Sequence, residues 1–313
     1  MDGLLAGLRA AAEPTRLRLL ALCARGDLTV SDLTGILGQS QPSVSRHLKL
    51  LCDAGLLDRF REGAWVFYRL ARDGEGGGLA GAMIGLLPPA DPVLELDARR
   101  LESLKEARQG RAAAYFRANA TRWGEIRSLH VDDALVERAL LGMLGEGRLG
   151  DLLDIGTGTG RMLELLGPLA RSGLGIDESR EMLSVARATL DRAGLTHCSV
   201  RLADLYQLPL PGESIDLAVV HQVLHYAERP GAAVAEAARV LRPGGRLMVV
   251  DFAPHDLEVL RTEHEHRRLG FLDDEVAGWF REAGLEPGIP HRLPGGRLTV
   301  VIWPARRTLH EEI

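Results

Sequence analysis

The stretch Leu152-Leu-Asp-Ile-Gly-Thr-Gly-Thr-Gly160 decides the fold of the larger part of this chain. Its first residues predict a strand, its glycines a tight turn, and the residues from Arg161 onward a helix. Glycine in such a turn lets a ligand approach the backbone closely. Dinucleotide-binding domains carry a glycine turn at the same topological place, so the turn alone leaves the ligand open.

Apolar runs continue this pattern along the chain, at residues 152–155, 174–176, 215–220 and 246–250. Amphipathic helical segments separate the runs, and this alternation is typical of βαβ units on a parallel sheet. We therefore predict an α/β fold overall, with a Rossmann-like and mostly parallel sheet in the C-terminal part.

The surroundings of the glycine turn favour a methionine-derived ligand over a dinucleotide. Gly156, Gly158 and Gly160 follow a G-x-G-x-G spacing, and Arg161 stands where a third dinucleotide-binding glycine would fall. Asp154 precedes the turn, so its carboxylate would meet an ammonium group and would repel a pyrophosphate.

Two further acids end the next predicted strands. Asp177 lies twenty-one residues after Gly156, where a carboxylate accepts ribose hydroxyls. Asp204 is placed to accept from an adenine amino group, with Leu205 as an apolar wall. Each acid alone is equally typical of a solvated strand end. Taken together with Asp154, they predict a site for S-adenosylmethionine or S-adenosylhomocysteine.

A second pattern occupies the first seventy residues. A short helix over 29–38 is closed by glycine, a second helix follows from Gln41, and a β-hairpin turns at Glu62-Gly63. Arginine reads guanine, serine contacts bases or phosphates, and a basic hairpin tip touches the DNA backbone. The residues predicted to contact DNA are Gln41, Ser43, Ser45, Arg46, His47, Lys49 and Arg61. Val44, Leu48 and Leu51 should face inward.

Charge is distributed unevenly along the chain, whose formal net charge is -5. Residues 1–72 carry ten Lys or Arg against seven Asp or Glu, so the net positive charge lies where DNA contact is predicted. The cysteines Cys23, Cys52 and Cys198 have no CxxC spacing, which argues against disulfides, a zinc ribbon or a redox pair and favours a reducing cytoplasm. We expect no export signal and no membrane span.

Composition shifts suggest three parts. The glycine-rich segment 73–78 breaks the first pattern, and residues 92–147 are rich in alanine, arginine and glutamate, as expected of a helical connector that packs on the following domain. We predict a DNA-binding domain at 1–90, a helical connector at 91–147 and a ligand-binding domain at 148–313.

Residues 13–70 resemble the ArsR/SmtB family of winged helix-turn-helix repressors. The likeness rests on Pro-Thr-Arg-Leu-Arg at 14–18, Ser-Val-Ser-Arg-His-Leu at 43–48 and Ala-Gly-Leu-Leu at 54–57. The resemblance implies operator binding as a homodimer. Metal-sensing members carry a cysteine pair in the helix that here holds Thr29 and Ser31, so no metal is expected there.

Residues 150–252 resemble class I S-adenosylmethionine-dependent methyltransferases of the ubiquinone/menaquinone-biosynthesis type. The resemblance rests on two sequence segments, Ile-Asp-Leu-Ala-Val-Val-His-Gln-Val-Leu-His at 215–225 and Ala-Arg-Val-Leu-Arg-Pro-Gly-Gly-Arg-Leu at 238–247. The resemblance implies that the three acids contact the cofactor and that His221 lies beside its methyl group. Tyr115 and Trp123 either cover the pocket or are core aromatics, and the second reading is favoured.

Three histidines, His255, His264 and His266, lie in a charged stretch that is typical of a solvated helix. Substrate contact is the alternative interpretation. Histidines 221 and 225 are four residues apart but lack the intervening glutamate of zinc proteases, so no metal is predicted there.

Two functions are compatible with this pairing of domains. In the favoured one, cofactor binding shifts the DNA affinity of a transcriptional regulator. The chain resembles proteobacterial regulators that join the same two domains and respond to S-adenosylhomocysteine. In the other, the second domain methylates a small molecule and the first has an accessory role.

Overall fold

The computed structural model describes residues 1–62, 65–71, 74–107, 132–264 and 266–308. The chain forms two compact units, Met1–Gly110 and Arg111–Ile313. Within the described residues, no helix is long and apolar enough to cross a membrane.

The first unit packs helices against a small antiparallel sheet, in which β1 pairs with β3 and β3 with β2. Its elements are α1 Asp2–Ala11, α2 Pro14–Cys23, β1 Leu28–Thr29, α3 Val30–Leu37, α4 Gln41–Asp53, β2 Leu57–Glu62, β3 Trp65–Leu70, α5 Gly74–Gly85 and α6 at 92–107. The predicted helix-turn-helix and wing are confirmed.

Local sequence signals set the helix-turn-helix. The Thr29 hydroxyl accepts a hydrogen bond from the Asp32 backbone N–H at 3.1 Å, and the Asp32 carboxylate accepts one from the Thr29 backbone N–H at 2.8 Å. This reciprocal cap starts α3, which ends at Gly38. Helix α4 buries the three residues predicted to face inward, Val44, Leu48 and Leu51.

Helix α5 follows the hairpin and begins inside the glycine-rich segment, at Gly74. A Cβ on Gly76 would collide with the carbonyl oxygen of Gly55. The glycine therefore lets α5 approach the loop after α4 closely, and this packing outweighs the low helix propensity of the segment.

Helix α6 also packs within the first unit. Its Asp97, of which 2% is exposed, accepts hydrogen bonds from both Nε and Nη2 of Arg18 at 2.6 and 2.8 Å. Arg100 donates to the Ile36 carbonyl at 2.6 Å, and Leu101 is fully buried in the core of this unit. The division at residues 90 and 147 stays a prediction, but α6 packs with the residues before it.

The second unit is built on an eight-stranded sheet. Its helices are α7 Asp133–Leu144, α8 Arg161–Leu166, α9 Arg180–Ala193, α10 Pro230–Val240, α11 Glu258–Glu263 and α12 Asp273–Glu282. Its strands are β4 Asp151–Ile155, β5 Ser172–Asp177, β6 Cys198–Leu202, β7 Ile215–His221, β8 Leu241–Phe252, β9 Leu285–Pro287, β10 His291–Pro294 and β11 Thr299–Arg307.

The sheet is mostly parallel, as predicted. Seven strands follow the order β10-β11-β8-β7-β4-β5-β6, and the eighth, β9, pairs with β11. The five strands from β8 to β6 are parallel, and β11 is antiparallel to β8. Chain order reverses at β4, which lies between β5 and β7. Open α/β sheets bind ligands at the carboxyl ends of the strands beside such a reversal.

Both faces of the sheet are buried, which explains the nearly continuous apolar runs. Alternate residues along β4 enter different cores: Leu153 and Ile155 pack with residues of α10 and α12, whereas Leu152 packs with residues of α7, α8 and α9. The carboxyl ends of the parallel strands are thereby held in fixed positions.

We predict opposite effects for two glycine substitutions in α5. Gly76→Ala should destabilise the protein by about 1–3 kcal/mol, because the added Cβ overlaps the Gly55 backbone. Gly78→Ala, whose Cβ would meet nothing within 4 Å, should stabilise it by about 0.5–1 kcal/mol. Urea unfolding of both variants measures the difference, and equal effects would contradict the close approach of α5.

Candidate functional site

The glycine turn after β4 lies at the reversal of strand order. Gly156 has a φ of 70°, and a Cβ on it would collide with the side chain of Val223, which follows β7. Glycine is therefore required at this position both for the backbone conformation and for space. The turn brings the ends of β4 and β7 into contact, as the predicted ligand site requires.

Asp154 lies beneath this turn with 1% of its surface exposed. Its carboxylate accepts a hydrogen bond from the Thr157 hydroxyl at 2.6 Å, and the Thr157 backbone N–H donates to the Ile176 carbonyl at 2.7 Å. Burial raises the pKa of Asp154 to about 7, the hydroxyl of Thr157 lowers it, and the charge of Asp177 raises it. A neighbouring cation would favour the ionised form.

Asp177 ends β5 and faces the same turn. Its carboxylate accepts hydrogen bonds from the backbone N–H of Gly158 at 2.9 Å and of Ser179 at 2.8 Å. The side chain is half-buried, so its remaining acceptor positions can serve a ligand. Asp177 thus joins the glycine turn to the start of α9.

A third acid follows β6. Asp204 is exposed and accepts a hydrogen bond from the Tyr206 backbone N–H at 2.8 Å, while Leu205 is partly buried against the core. Sequence reasoning missed Glu178, whose pKa is raised by burial and by the nearby acids Asp204 and Asp177. Its position directly after Asp177 was the available signal.

The residues present fit an S-adenosyl ligand. Asp154 is the penultimate residue of β4, Asp177 ends the adjacent strand β5, and Asp204 lies in the loop after β6. In the glycine turn between them, Gly158 has open space beside its backbone. Carboxylates at this edge match an ammonium group, ribose hydroxyls and an adenine amino group, and they disfavour phosphate. The ligand contacts of these residues remain predictions.

His221 is the last residue of β7 and is half-buried, with Val250 of β8 as its register partner. Its contact with a cofactor methyl group stays a prediction. Tyr115 and Trp123 lie outside the described residues. The favoured solvated-helix interpretation of the later histidines is wrong, because α11 ends at Glu263 and both His264 and His266 are buried.

The second helix of the helix-turn-helix presents a polar face. Gln41, Arg46 and Lys49 are exposed, and Ser43 and Ser45 are half-buried. His47 is turned partly inward, with Nδ1 3.7 Å from Oε2 of Glu13. The structure therefore places six of the seven residues predicted to contact DNA on one helix, and Arg61 on the wing.

The wing carries a basic pair. Arg59 and Arg61 are exposed and, being two residues apart on β2, lie on one face of the strand. Sequence reasoning selected Arg61 but missed Arg59. Side chains alternate between the two faces of a strand, so the position of Arg59, two residues before Arg61, indicated that both lie on the same face. The predicted turn at Gly63 lies outside the described residues.

We predict a pH-dependent effect of Asp154→Asn. Because the folded-state pKa is raised to about 7, the folded protein keeps this proton to higher pH than the unfolded chain does. The carboxyl group therefore lowers the free energy of unfolding by up to about 4 kcal/mol as pH rises from 4 to 8, and the amide does not.

The measurement is denaturation of both ligand-free proteins at several pH values, followed by circular dichroism. The stability of the variant relative to wild type should increase with pH, whereas a constant difference would show that Asp154 titrates normally.

Two family models match separate parts of the chain. Residues 13–59 match the model of the bacterial regulatory protein, arsR family, and residues 153–249 match the methyltransferase domain. The first match covers α2 through the first half of the wing strand β2, and the second covers the glycine turn, the three acids and His221.

Sequence relatives share part of the chain. The uncharacterized 37.1 kDa protein in transposon TN4556 of Streptomyces fradiae is 40% identical over 159 residues, which cover 45% of this chain and 44% of that protein. The uncharacterized methyltransferase YcgJ of Bacillus subtilis (strain 168) is 32% identical over 106 residues, which cover 34% and 42%. This chain thus spans less than half the length of these curated relatives.

A crystal structure shows the same fold. Geranyl diphosphate C-methyltransferase from Streptomyces coelicolor A3(2), in complex with Mg²⁺, geranyl diphosphate and S-adenosylhomocysteine, aligns with a TM-score of 0.50 at 14% identity. The alignment covers 56% of this chain and 77% of that one. The chain therefore joins a segment that matches the arsR-family model to a domain with the class I methyltransferase fold.

Proposed function

We propose that the protein is a cytoplasmic transcriptional regulator that binds operator DNA through its winged helix and takes S-adenosylhomocysteine or S-adenosylmethionine as effector. The observation that carries this proposal is the presence of two features in one chain. Helix α4 exposes a polar face, and three acids, Asp154, Asp177 and Asp204, lie at the carboxyl ends of neighbouring strands, which we call the ligand edge. Neither a lone DNA-binding module nor a lone enzyme needs both.

The first unit supports DNA binding by its charges. Arg46 and Lys49 on α4 and Arg59 and Arg61 on the wing are exposed, so helix and wing can contact groove and phosphates together. Helix α1 leaves Leu4, Leu5 and Leu8 exposed at 46%, 40% and 44%, and a second copy of the chain would cover them. We expect a homodimer, which binds operators with repeated half-sites.

The second unit supports an effector role through the same acids that fit the ligand. Asp177 accepts hydrogen bonds from the glycine turn and from Ser179, the N-cap residue of α9, so a ligand on its carboxylate would stabilise the end of β5, the turn and the start of α9. A ligand with different affinities for two arrangements of a protein shifts their populations. Coupling between two sites is typically worth 1–3 kcal/mol, or about 5–150-fold in affinity.

A second candidate is an active methyltransferase on a small molecule. The observation that favours it is a buried histidine-carboxylate pair, His225 and Asp251, at the same edge of the sheet as the ligand site. Such a pair is not needed for effector binding.

We predict that S-adenosylhomocysteine changes the affinity of the full chain for a fragment of its own promoter by about 5–150-fold. Fluorescence anisotropy with labelled DNA measures the change, and Asp177→Ala should abolish it because the ribose loses its acceptor. The same titration should give two chains per half-site pair. If neither S-adenosyl ligand changes the affinity for DNA, the proposal of an effector-controlled regulator is contradicted.

Arg46→Ala should lower affinity for the promoter fragment by about 5–150-fold, because an arginine-guanine pair is worth about 1–3 kcal/mol. The matched control is Arg99→Ala, which removes an exposed arginine of α6. Binding of S-adenosylhomocysteine, measured by calorimetry, should be unchanged in both variants. Equal DNA affinity of the two variants would contradict the prediction that Arg46 contacts DNA.

A further inference from the structure

The first unit contains a cavity that neither the predicted DNA surface nor the S-adenosyl site uses. It has a volume of about 340 Å³ and lies between the second half of α2, the end of α5 and the start of α6. Pockets that hold small molecules typically measure about 300–1,000 Å³. The cavity is therefore large enough for a compact organic ligand.

Small side chains keep this space open between the helices. Ala21 and Ala24, on and just after α2, line the cavity together with Ala98 of α6, and all three are only partly buried. Protein interiors have few voids larger than a water molecule, because neighbouring helices fill the space with larger side chains. An opening of this size between two packed helices is typical of a binding pocket.

The remaining wall is mostly apolar. Ile84 and Leu87 come from the end of α5 and the turn after it, Pro88 and Pro89 from the connection to α6, and Leu94 from the first turn of α6. The two proline rings fix the backbone φ of this connection. The wall is therefore stiff before a ligand arrives, which lowers the entropic cost of binding.

Arg18 presents a guanidinium group to the cavity in a fixed orientation. Its Nε and Nη2 donate to the two carboxylate oxygens of Asp97, which is 2% exposed. The hydrogen bonds to Asp97 raise the pKa of Arg18, so the group stays charged. Among the described residues, Nη1 of Arg18 has no hydrogen-bond partner, so both of its N–H groups remain for a ligand.

Two more charged side chains line the cavity, Arg25 and Glu95. Within the part of the chain that the structure describes, neither forms an ion pair. Both oxygens of Asp97 are already occupied, so the guanidinium donors of Arg18 and Arg25 face a single unused carboxylate. This set favours an anionic ligand group, and a guanidinium matches a carboxylate in shape and charge. The nearby acids disfavour a doubly charged phosphate.

We propose that this cavity binds a small organic monocarboxylate with an apolar ring or chain. The ligand carboxylate accepts hydrogen bonds from Nη1 of Arg18 and from Arg25, and the apolar part lies against Ile84, Leu87 and Leu94. The site belongs to the first unit alone. Either this proposal or that of the S-adenosyl site can therefore fail without the other.

A carboxylate in this cavity contacts the two helices that support the helix-turn-helix. Helix α2 places Leu19 and Leu20 in the same core as Leu48 of α4. On α6, Arg100 donates to the Ile36 carbonyl of α3 at 2.6 Å. The ligand is therefore a second input to DNA affinity, because it binds one packing of α2 and α6 more tightly than another. This consequence rests on the DNA binding of the proposed function.

The first test is binding, by methyl NMR of the full-length protein labelled at the isoleucine δ1 methyl groups. The probes are benzoate, phenylacetate and hexanoate, with benzylamine and hexylamine as cations of similar size, and Ile84→Val identifies the Ile84 signal. We expect at least one carboxylate to shift this signal to saturation and neither amine to do so. The signal of Ile302, which is fully buried in β11 of the second unit, should not move.

The second test uses variants of the lining residues. Arg25→Gln should weaken binding of the carboxylate by about 10-fold or more, because a charge-assisted hydrogen bond is lost. The matched control, Arg9→Gln, removes an exposed arginine of α1 and should bind normally. Ala21→Leu should abolish binding by filling the cavity, and Ala98→Leu fills the same space from α6. Urea unfolding identifies the variants that are folded.

A saturable shift of Ile84 that is lost when the cavity is filled would support the site. No shift with any carboxylate, or an equal shift with the amines, would overturn it, as would unchanged binding in both folded leucine variants. A bound carboxylate should also change the affinity for the promoter fragment by about 5–150-fold, and an unchanged affinity would contradict the second input. Failure of S-adenosylhomocysteine to bind, with carboxylate binding intact, would contradict the proposed function alone.

Discussion

The structure of the second unit depends on the close approach of Gly156 to Val223. That contact joins the turn after β4 to the loop after β7 where strand order reverses, and no residue with a Cβ fits. The three acids of the ligand edge and His225 are positioned around it by the parallel strands. The same constraint leaves Asp154 beneath the turn, where burial favours its protonated form.

The first unit depends on close packing of a different kind. The backbone contact of Gly76 with Gly55 brings α5 onto the loop after α4, and the buried ion pair of Arg18 with Asp97 adds α6. With the inner faces of α2 to α6 occupied in this way, α4 keeps its polar face and the wing its arginine pair for an external partner. Polar residues remain where packing does not need them.

Patterns that depend on neighbouring residues could be predicted from the sequence. The glycine turn, the strands around it and the inward residues of α4 follow from local spacing, and the structure has them where expected. Contacts between distant segments could not be read in this way. Gly74 begins a helix only because Gly76 meets Gly55, and His266 is buried only because the chain after α11 folds back onto His225. Composition suggested a break in the first case and a solvated helix in the second.

The central claim is that an S-adenosyl ligand and operator DNA bind the same molecule with coupled free energies. Calorimetric titration of the full chain with S-adenosylhomocysteine, with and without saturating promoter DNA, tests it most directly. Because coupling is reciprocal, the account predicts a dissociation constant that differs by about 5–150-fold between the two conditions. Identical constants, or no binding in either, would contradict it.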